Sequence, residues 1–451
     1  MAKTTTKIVY LCSQCGADFA KWNGQCPACH EWGTLSEFKT STKAGKRVSV
    51  DKRPSAGLSD LLKTPPLTRI STKIGEVDRV LGGGLLKGSL ILLGGSPGIG
   101  KSTLALQIAA GAGRPVLYIS AEESEEQIAL RARRLGIEGA GLQLSGENRI
   151  EAILEEISLL KSDLVIVDSI QTVYSAVLDS LPGSISQIRE CGQQLLQVCK
   201  QRNVTVIIIG HVTKEGVIAG PKMLEHMVDT VLYLDGDDRY DQRILRSAKN
   251  RFGTTNEVGI FRMESTGMLP VENPSELFLS ERTRGISGTA IYPALEGSRP
   301  ILLEIQALVS AANFGTPQRN VNGFDLRRLA MLLAVLEKRQ GLVLGTRDVF
   351  INLVGGLKVN DPAADLAVIG AVSSSTLDKI IPADTVLVGE VGLAGEVRSV
   401  AQLEKRVIEA KALGFKRIVA PAGSVQRLNS KPTGIRLQGV KTVREAFEIV
   451  F

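Results

Sequence analysis

A chain of 451 residues exceeds what one compact core usually holds, so two or three domains are expected. Its 43% hydrophobic and 22% charged residues, with 46 glycines, describe a soluble α/β protein rich in tight turns, and aromatics at 4% are too scarce for base stacking over a large nucleic-acid surface. The formal charge of +7 admits an anionic partner without naming one; no apolar run reaches the length of a membrane span and Met1-Ala2-Lys3-Thr4 opens no signal peptide, so a cytoplasmic protein with no membrane contact is expected.

In chain order, the first feature is Cys12-x-x-Cys15, a ten-residue loop, and Cys26-x-x-Cys29. Two such knuckles aim four thiolates at one centre, the ligand set of a tetrahedral Zn²⁺ site. A segment this short cannot hold itself by burial, so the metal would do so in a zinc module over residues 1–35. Paired redox dithiols are the rival reading. Trp22 and Trp32 are expected to cover the knuckles, with stacking on a base as the alternative. Residues 36–56 carry Lys39, Lys43, Lys46, Arg47, Lys52 and Arg53 among small polar residues, which is a basic flexible linker, either merely solvated or in contact with nucleic acid.

From residue 57 to 272 strands and helices alternate, as a parallel sheet requires. The apolar run Ser89 to Leu93 leads into Gly95, Ser96, Pro97, Gly98, Ile99, Gly100, Lys101, Ser102 and Thr103, and a helix pattern follows. Strand, glycine-rich turn and helix are the context of a P-loop. Its backbone N–H groups and the Lys101 amine suit the phosphates of a nucleoside triphosphate, and the Ser102 hydroxyl suits Mg²⁺. Pro115 to Ser120 is a second strand, ending at Glu122 and Glu123. Leu164 to Val167 is a third and delivers Asp168 as the Walker B carboxylate of the Mg²⁺ shell. Because Ser169 and not Glu follows Asp168, the water-orienting base is sought on the neighbouring strand, at Glu122; the alternative is that Glu122 and Glu123 only favour a helix N-terminus. Cys191 and Cys199 lie on a helix pattern and read as buried thiols. Val204 to Gly210 is a strand ending at His211; the loop Val212 to Glu225 carries Lys214 and Lys222 and suits either phosphates or plain solvent.

The order of P-loop, Ser120-Ala121-Glu122-Glu123-Ser124, Leu164 to Ser169 and Ile209 to Lys214 resembles the RecA-type ATPases. With the four cysteines and Lys249-Asn250-Arg251-Phe252-Gly253, the chain resembles the bacterial RadA (Sms) family of DNA repair proteins along essentially its whole length. That resemblance implies a DNA-dependent ATPase, a helicase-like motor using ATP with Mg²⁺ to promote branch migration of recombination intermediates. It implies single-stranded and branched DNA as partners, RecA and other recombination proteins beside it, and a homo-hexameric ring. It makes Glu122 the catalytic carboxylate and His211 similar to the γ-phosphate sensor. It turns the segments after Asp168 and His211 towards DNA, and lets Lys249 and Arg251 complete a neighbouring subunit's site.

Residues 273–451 repeat the α/β pattern as a second domain, with a hairpin around Glu296-Gly297. This part resembles the proteolytic domain of Lon. On that likeness Ala363 stands at the nucleophilic serine's place and Glu404 at the lysine's, so no Ser–Lys dyad forms; Ser373, Ser374 and Ser375 have the wrong spacing to replace it. A scaffold for oligomerisation and DNA is expected, with Arg319, Arg327 and Arg328 as its basic contributors. Two rival functions remain open: a nucleotide-switched regulatory ring resembling KaiC, and an ATP-dependent protease.

Overall fold

The computed structural model describes residues 5–12, 18–28, 30–42, 59, 68–120, 122–211, 219–236, 241–279, 282–283, 285–312, 316–354, 358–428 and 432–451. Contacts group the chain into two compact units, one of Met1–Gly236, Arg243–Thr255 and Phe261–Pro270, the other of Asp237–Gln242, Asn256–Ile260 and Val271–Phe451. Among the described residues no helix is long and apolar enough to cross a membrane.

The first unit opens with a small antiparallel sheet of β1 (Thr5–Cys12), β2 (Asp18–Phe19) and β3 (Leu35–Thr42), in the order β2-β1-β3. Among the described residues its core is Cys12, Cys26 and Leu35, flanked by Tyr10 and Phe19. That is far too little apolar burial to fold such a segment alone. The short pair β4 (Arg69–Ile70) and β5 (Leu85–Leu86) then brackets the helix Gly75–Leu81.

The nucleotide domain is built on β6 (Leu90–Gly95), β7 (Val116–Ser120), β8 (Leu142–Ser145), β9 (Leu164–Asp168), β10 (Thr205–His211), β11 (Thr230–Gly236), β12 (Gln242–Asn250), β13 (Val258–Glu264) and β14 (Gly267–Pro270). They form one nine-stranded sheet in the order β14-β13-β12-β11-β6-β10-β9-β7-β8. From β11 across to β8 every neighbouring pair is parallel. The unbroken apolar runs follow from this, because a parallel strand is covered on both faces. In β6, Leu90 and Leu92 join one core with Cys191, Leu195 and Cys199 of the helix Ile185–Arg202. Ile91 and Leu93 join the opposite core with Leu104 and Ile108 of the helix Lys101–Gly111. Cys191 and Cys199 are buried as expected, and burial pushes each thiol up to about 12.

The second unit centres on the antiparallel hairpin of β15 (Thr289–Glu296) and β16 (Arg299–Ala311), turned at Gly297 with φ of 61°. With β17 (Arg319–Asn322), β18 (Arg347–Leu353) and β19 (Thr385–Leu387), it belongs to a seven-stranded sheet. A two-stranded ribbon, β20 (Glu390–Val391) and β21 (Val397–Arg398), stands apart from it. The larger sheet is completed by β22 (Arg417–Pro421) and β23 (Arg436–Val440), in the order β17-β18-β16-β15-β19-β22-β23. Its central helix, Asp365–Leu377, is buried from Asp365 through Ser374.

Candidate nucleotide site and its surroundings

The carboxyl ends of β6, β7, β9 and β10 gather the expected nucleotide residues. The register aligns Gly95 with His211 and Ser120 with Asp168, so the P-loop, Glu122, Asp168 and His211 converge at one edge of the sheet. Ligands of open parallel sheets bind at that edge. Gly100 shows why the turn needs glycine: φ is 112°, and a Cβ there would run into the methyls of Met263 and Met268. Lys101 begins the helix Lys101–Gly111, is buried, and donates to the carbonyls of Gly95 and Ser96 at 2.9 Å each. Burial lowers its amine to about 8, against the opposing pull of Asp168 and Glu122.

Asp168 is buried at the end of β9; burial raises its carboxyl, while hydrogen bonds from the Tyr118 and Ser102 hydroxyls hold it down. The Tyr118 phenol donates to Asp168 Oδ2 at 2.7 Å. Glu122 accepts a hydrogen bond from the Ser169 hydroxyl and faces His211 Nε2 at 3.6 Å. Its neighbour Glu123 is instead paired with Arg131, and Ser124 supplies the N-cap of the helix Glu125–Arg134. The two adjacent carboxylates thus divide: Glu123 braces a helix and Glu122 faces the site. Among the described residues, His211 Nδ1 and Gln171 Oε1 are buried there without a hydrogen-bond partner.

Three contributors escape a motif reading. Tyr118 lies inside an apolar strand, where a phenol looks like core filling. Ser169 was legible only as the residue that is not glutamate. Arg243 of β12 donates from Nε to the P-loop carbonyl of Ile99 at 3.2 Å across 144 residues, which no local pattern announces.

Lys249 and Arg251 are not at this edge. Lys249 donates to the carbonyls of Glu225 at 2.7 Å and His226 at 3.3 Å, at the end of the helix Ala219–Met227. Arg251 Nη1 lies 3.4 Å from Asp229, which also accepts from Lys200 at 2.8 Å and from the backbone N–H of Leu90 at 3.1 Å. Leu90 starts the strand that Gly95 ends. The register pairs Thr230 with both Asn250 and Ile91, and Leu234 with Gly95. Four residues of strand, about 13 Å at 3.3 Å each, separate the two ends. Asn250 and Arg69 brace the turn, accepting from the Phe252 N–H and donating to the Phe252 carbonyl.

The segment after Asp168 is pinned. Buried Gln187 accepts from the Ser175 N–H and donates to the carbonyls of Ser175, Leu178 and Ser180, and Ser175 donates to Glu151. Residues 212–218, with Lys214, lie outside the described residues, as do Cys15 and Cys29. Cys12 and Cys26 come together in the small N-terminal core, both fully buried, and Cys12 Sγ lies 3.2 Å from the Thr34 hydroxyl. Two thiols from different knuckles in one core fit the donor set of a metal site. Trp22 and Trp32 are both exposed and lie outside that cluster of Cys12, Cys26 and Leu35 with Tyr10 and Phe19.

Comparison with known proteins places three families along the chain. The ATPase family described as KaiC matches residues 70–261, a rubredoxin metal-binding domain matches residues 10–37, and the Lon protease (S16) C-terminal proteolytic domain matches residues 339–450. The DNA repair protein RadA of Bacillus subtilis (strain 168) is 48% identical over 99% of this chain and 98% of its own. That of Chlamydia pneumoniae is 46% identical over 99% of each. This chain belongs to the RadA family of DNA repair proteins. Among solved structures, the RadB recombinase aligns with 45% of this chain and all of its own, at 27% identity and a TM-score of 0.37. This chain combines a zinc-ribbon module, a RecA-like ATPase core and a Lon-type C-terminal domain.

The Lon-type region departs from expectation at one position. Ala363, expected at the serine's place, is buried in the turn Pro362–Ala364. Glu404, expected at the lysine's place, points to solvent. The inward side chain is Arg406, 1% exposed, which donates to Asp361 Oδ2 at 2.6 Å, to the Tyr292 hydroxyl at 3.1 Å and to the Pro293 carbonyl. The reason is helical phase: in the helix Leu403–Ala412 the buried stripe is Leu403, Arg406, Val407 and Ala410. Ser374 and Ser375 accept from the backbone N–H groups of Gly288 and Val309. Of the expected basic contributors, Arg328 pairs with buried Asp365 and Arg319 donates to the carbonyls of Gln318, Leu344 and Arg347, which leaves Arg327 exposed to solvent.

Proposed function

We propose that this RadA-family ATPase is a DNA-dependent, helicase-like motor that promotes branch migration of recombination intermediates, working as a ring beside RecA on single-stranded and branched DNA. The observation that carries the ring is the separation of Lys249 and Arg251 from their own P-loop by the length of β6. Two cations tethered at the far end of the sheet cannot reach the triphosphate of their own chain. A neighbouring copy presented head to tail would bring them to it, and head-to-tail contacts generate a ring where the rotation closes.

Within one subunit, the residues fit ATP with Mg²⁺. Lys101 and the P-loop N–H groups would hold the phosphates, and Ser102 and Asp168 would hold Mg²⁺, which when bound neutralises phosphate charge. The fit rests on buried Asp168, an acid removed from water with a serine hydroxyl beside it. Glu122, aimed by Ser169, would orient the attacking water. His211 faces Glu122 and heads the segment leading to the helix Ala219–Met227, whose last carbonyls hold Lys249. That chain of elements would link the state of one nucleotide to the motif serving the next. Zn²⁺ would be held by Cys12, Cys15, Cys26 and Cys29 and would supply the stability that the small core lacks. The Lon-type region would act as a scaffold and not as a protease, since Ala363 offers no hydroxyl and Arg406 no titrating amine.

The test is steady-state ATP hydrolysis with and without single-stranded DNA at low and moderate salt, with Lys101→Ala as the inactive control. Stimulation that fades with salt, followed by branch migration on a synthetic junction, is the expected result. Turnover indifferent to DNA would instead favour a KaiC-like regulatory ring acting on a protein partner.

A further inference from the structure

The strand β14 is the edge of the nine-stranded sheet, paired with β13 on its inner side, and Met268 of β14 stands opposite Met263 of β13. On the outer side, the Met268 N–H donates to Gln107 Oε1 at 3.0 Å and the Met268 carbonyl accepts from Gln107 Nε2 at 3.2 Å. One amide side chain of the P-loop helix thus takes the part of a further strand. Because both backbone groups of Met268 turn away from β13, Met263 and Met268 form a non-hydrogen-bonded pair, with their side chains close together on one face. Gly267 shows how closely the amide is fitted: its φ is 123°, and a Cβ there would come within 2.8 Å of Leu135 Cδ2 and 3.0 Å of Gln107 Nε2.

The paired methionines converge on the P-loop. A Cβ on Gly100 would overlap Met263 Cε and lie 2.7 Å from Met268 Cε. Met268 is 1% exposed and shares a core with Leu104 and Ile108, and Met263 packs half-buried against that core. A glycine has no side chain to limit its own φ, so something outside must hold it where a turn depends on it. Here two methyl groups occupy the place of the missing side chain. The stakes are local: Gly100 has φ of 112°, and its carbonyl accepts the Leu104 N–H at 2.9 Å in the first turn of the helix Lys101–Gly111. Its conformation therefore sets where the N–H groups at the head of that helix point.

We propose that Gln107 is a positioning residue for the nucleotide: its amide latches the β13–β14 hairpin to the P-loop helix, and Met263 and Met268 then hold Gly100 in its left-handed, phosphate-ready conformation before nucleotide arrives. The assignment rests on the reading of Gly95 to Ser102 as the phosphate site. Gln107 lies six residues beyond Lys101, about 9 Å along the helix, and acts through the methionines without touching phosphate. A turn released from this hold is competent for only a fraction of the time, and apparent affinity falls by that fraction. Once bound, the nucleotide restores the turn from the other side, so the chemical step is spared.

The experiment titrates the full-length protein with the Mg²⁺ complex of mant-AMP-PNP, a fluorescent non-hydrolysable ATP analogue, and follows steady-state ATP hydrolysis alongside. Gln107→Met keeps the length and helix preference of the side chain and loses the amide. It should weaken analogue binding and raise KM by about fivefold to thirtyfold, the range for two lost neutral hydrogen bonds, with kcat within about twofold of wild type. Met263→Ala removes one methyl and leaves both Gln107 hydrogen bonds in place, so it reads the same path should Gln107→Met not fold. Its loss should be of the same kind, and the double variant should be no worse than the weaker-binding single variant, because both changes act on Gly100. Wild-type affinity in Gln107→Met with a lowered unfolding temperature would overturn the proposal and leave Gln107 as cover for an edge strand. Losses that add in the double variant, or a fall in kcat at unchanged KM, would overturn it too. Lys101→Ala separates the two readings. If it binds the analogue as wild type does, the phosphate site itself is misplaced; if it loses binding while Gln107→Met keeps it, the latch alone falls.

Discussion

Lys101 sits in a site that strips it of water, so its amine is held at about 8 with burial as the main cause. A triphosphate favours the charged amine, so its affinity contains the work of keeping Lys101 protonated. The sign follows. Below pH 8 the amine is already charged and binding takes up no proton; above it, binding must supply one, and affinity falls by up to about tenfold per pH step. Calorimetry of ATP binding between pH 7 and 9.5 in buffers of different ionisation enthalpy should show proton uptake growing above pH 8, and a flat profile would refute it. Tyr118 carries the second prediction at this scale. Its phenol holds down the carboxyl of Asp168 against burial, so Tyr118→Phe should raise that group further. A lost hydrogen bond to a charged group, about 1.5–3 kcal/mol, corresponds to a roughly tenfold or greater fall in kcat at neutral pH. The loss should recover partly as pH rises, since deprotonation restores the ligand; a pH-independent loss would mean that Tyr118 only fills space. Lys101, Asp168 and Glu122 were legible in the sequence because each is fixed by neighbours within a few residues. Tyr118 and Arg243 were not, because the contacts that give them roles are made by strand order, which composition does not encode.

The helix Leu403–Ala412 teaches the same lesson one level up. Alignment to Lon by motif spacing pointed to Glu404, yet the helix turns that residue outwards, and Arg406 shares the inward stripe with Leu403, Val407 and Ala410. The signal lies in the sequence as an arginine at an apolar position of a 3.6-residue repeat, which motif spacing alone does not read. The consequence is testable. Arg406 is clamped by Asp361 and Tyr292, and a guanidinium does not give up its proton in a protein. Ala363→Ser should therefore restore a hydroxyl with no base to activate it. Neither labelling by a serine-reactive fluorophosphonate nor casein hydrolysis above background is expected for that variant. Activity in Ala363→Ser alone would show that another group serves as the base.

At the scale of the assembled protein, the separation of the Lys249–Arg251 turn from the P-loop makes two kinds of defect complementary. Lys101→Ala spoils the phosphate end of a subunit and leaves its far end intact; Arg251→Ala does the opposite. Arg251 is half-exposed and held to Asp229 at 3.4 Å, so its removal should leave the fold and nucleotide binding in place. If each active site joins the P-loop of one copy to the Arg251 of the next, each pure variant is inactive. A mixture allowed to exchange subunits then rebuilds a site wherever an Arg251→Ala copy offers its P-loop to a Lys101→Ala copy. With equal amounts and random exchange, about a quarter of the sites in a head-to-tail ring are intact, so the mixture should recover up to roughly a quarter of wild-type turnover. A cis arrangement predicts only the average of two inactive proteins. The double variant Lys101→Ala, Arg251→Ala mixed with either single variant supplies the control, because no junction in that mixture contains both groups. Recovery in the first mixture and silence in the controls would establish that the nucleotide site is shared between copies. Silence in all of them, with subunit exchange verified by a fluorescent label, would return Lys249 and Arg251 to the role of a brace on Asp229 and the helix Ala219–Met227.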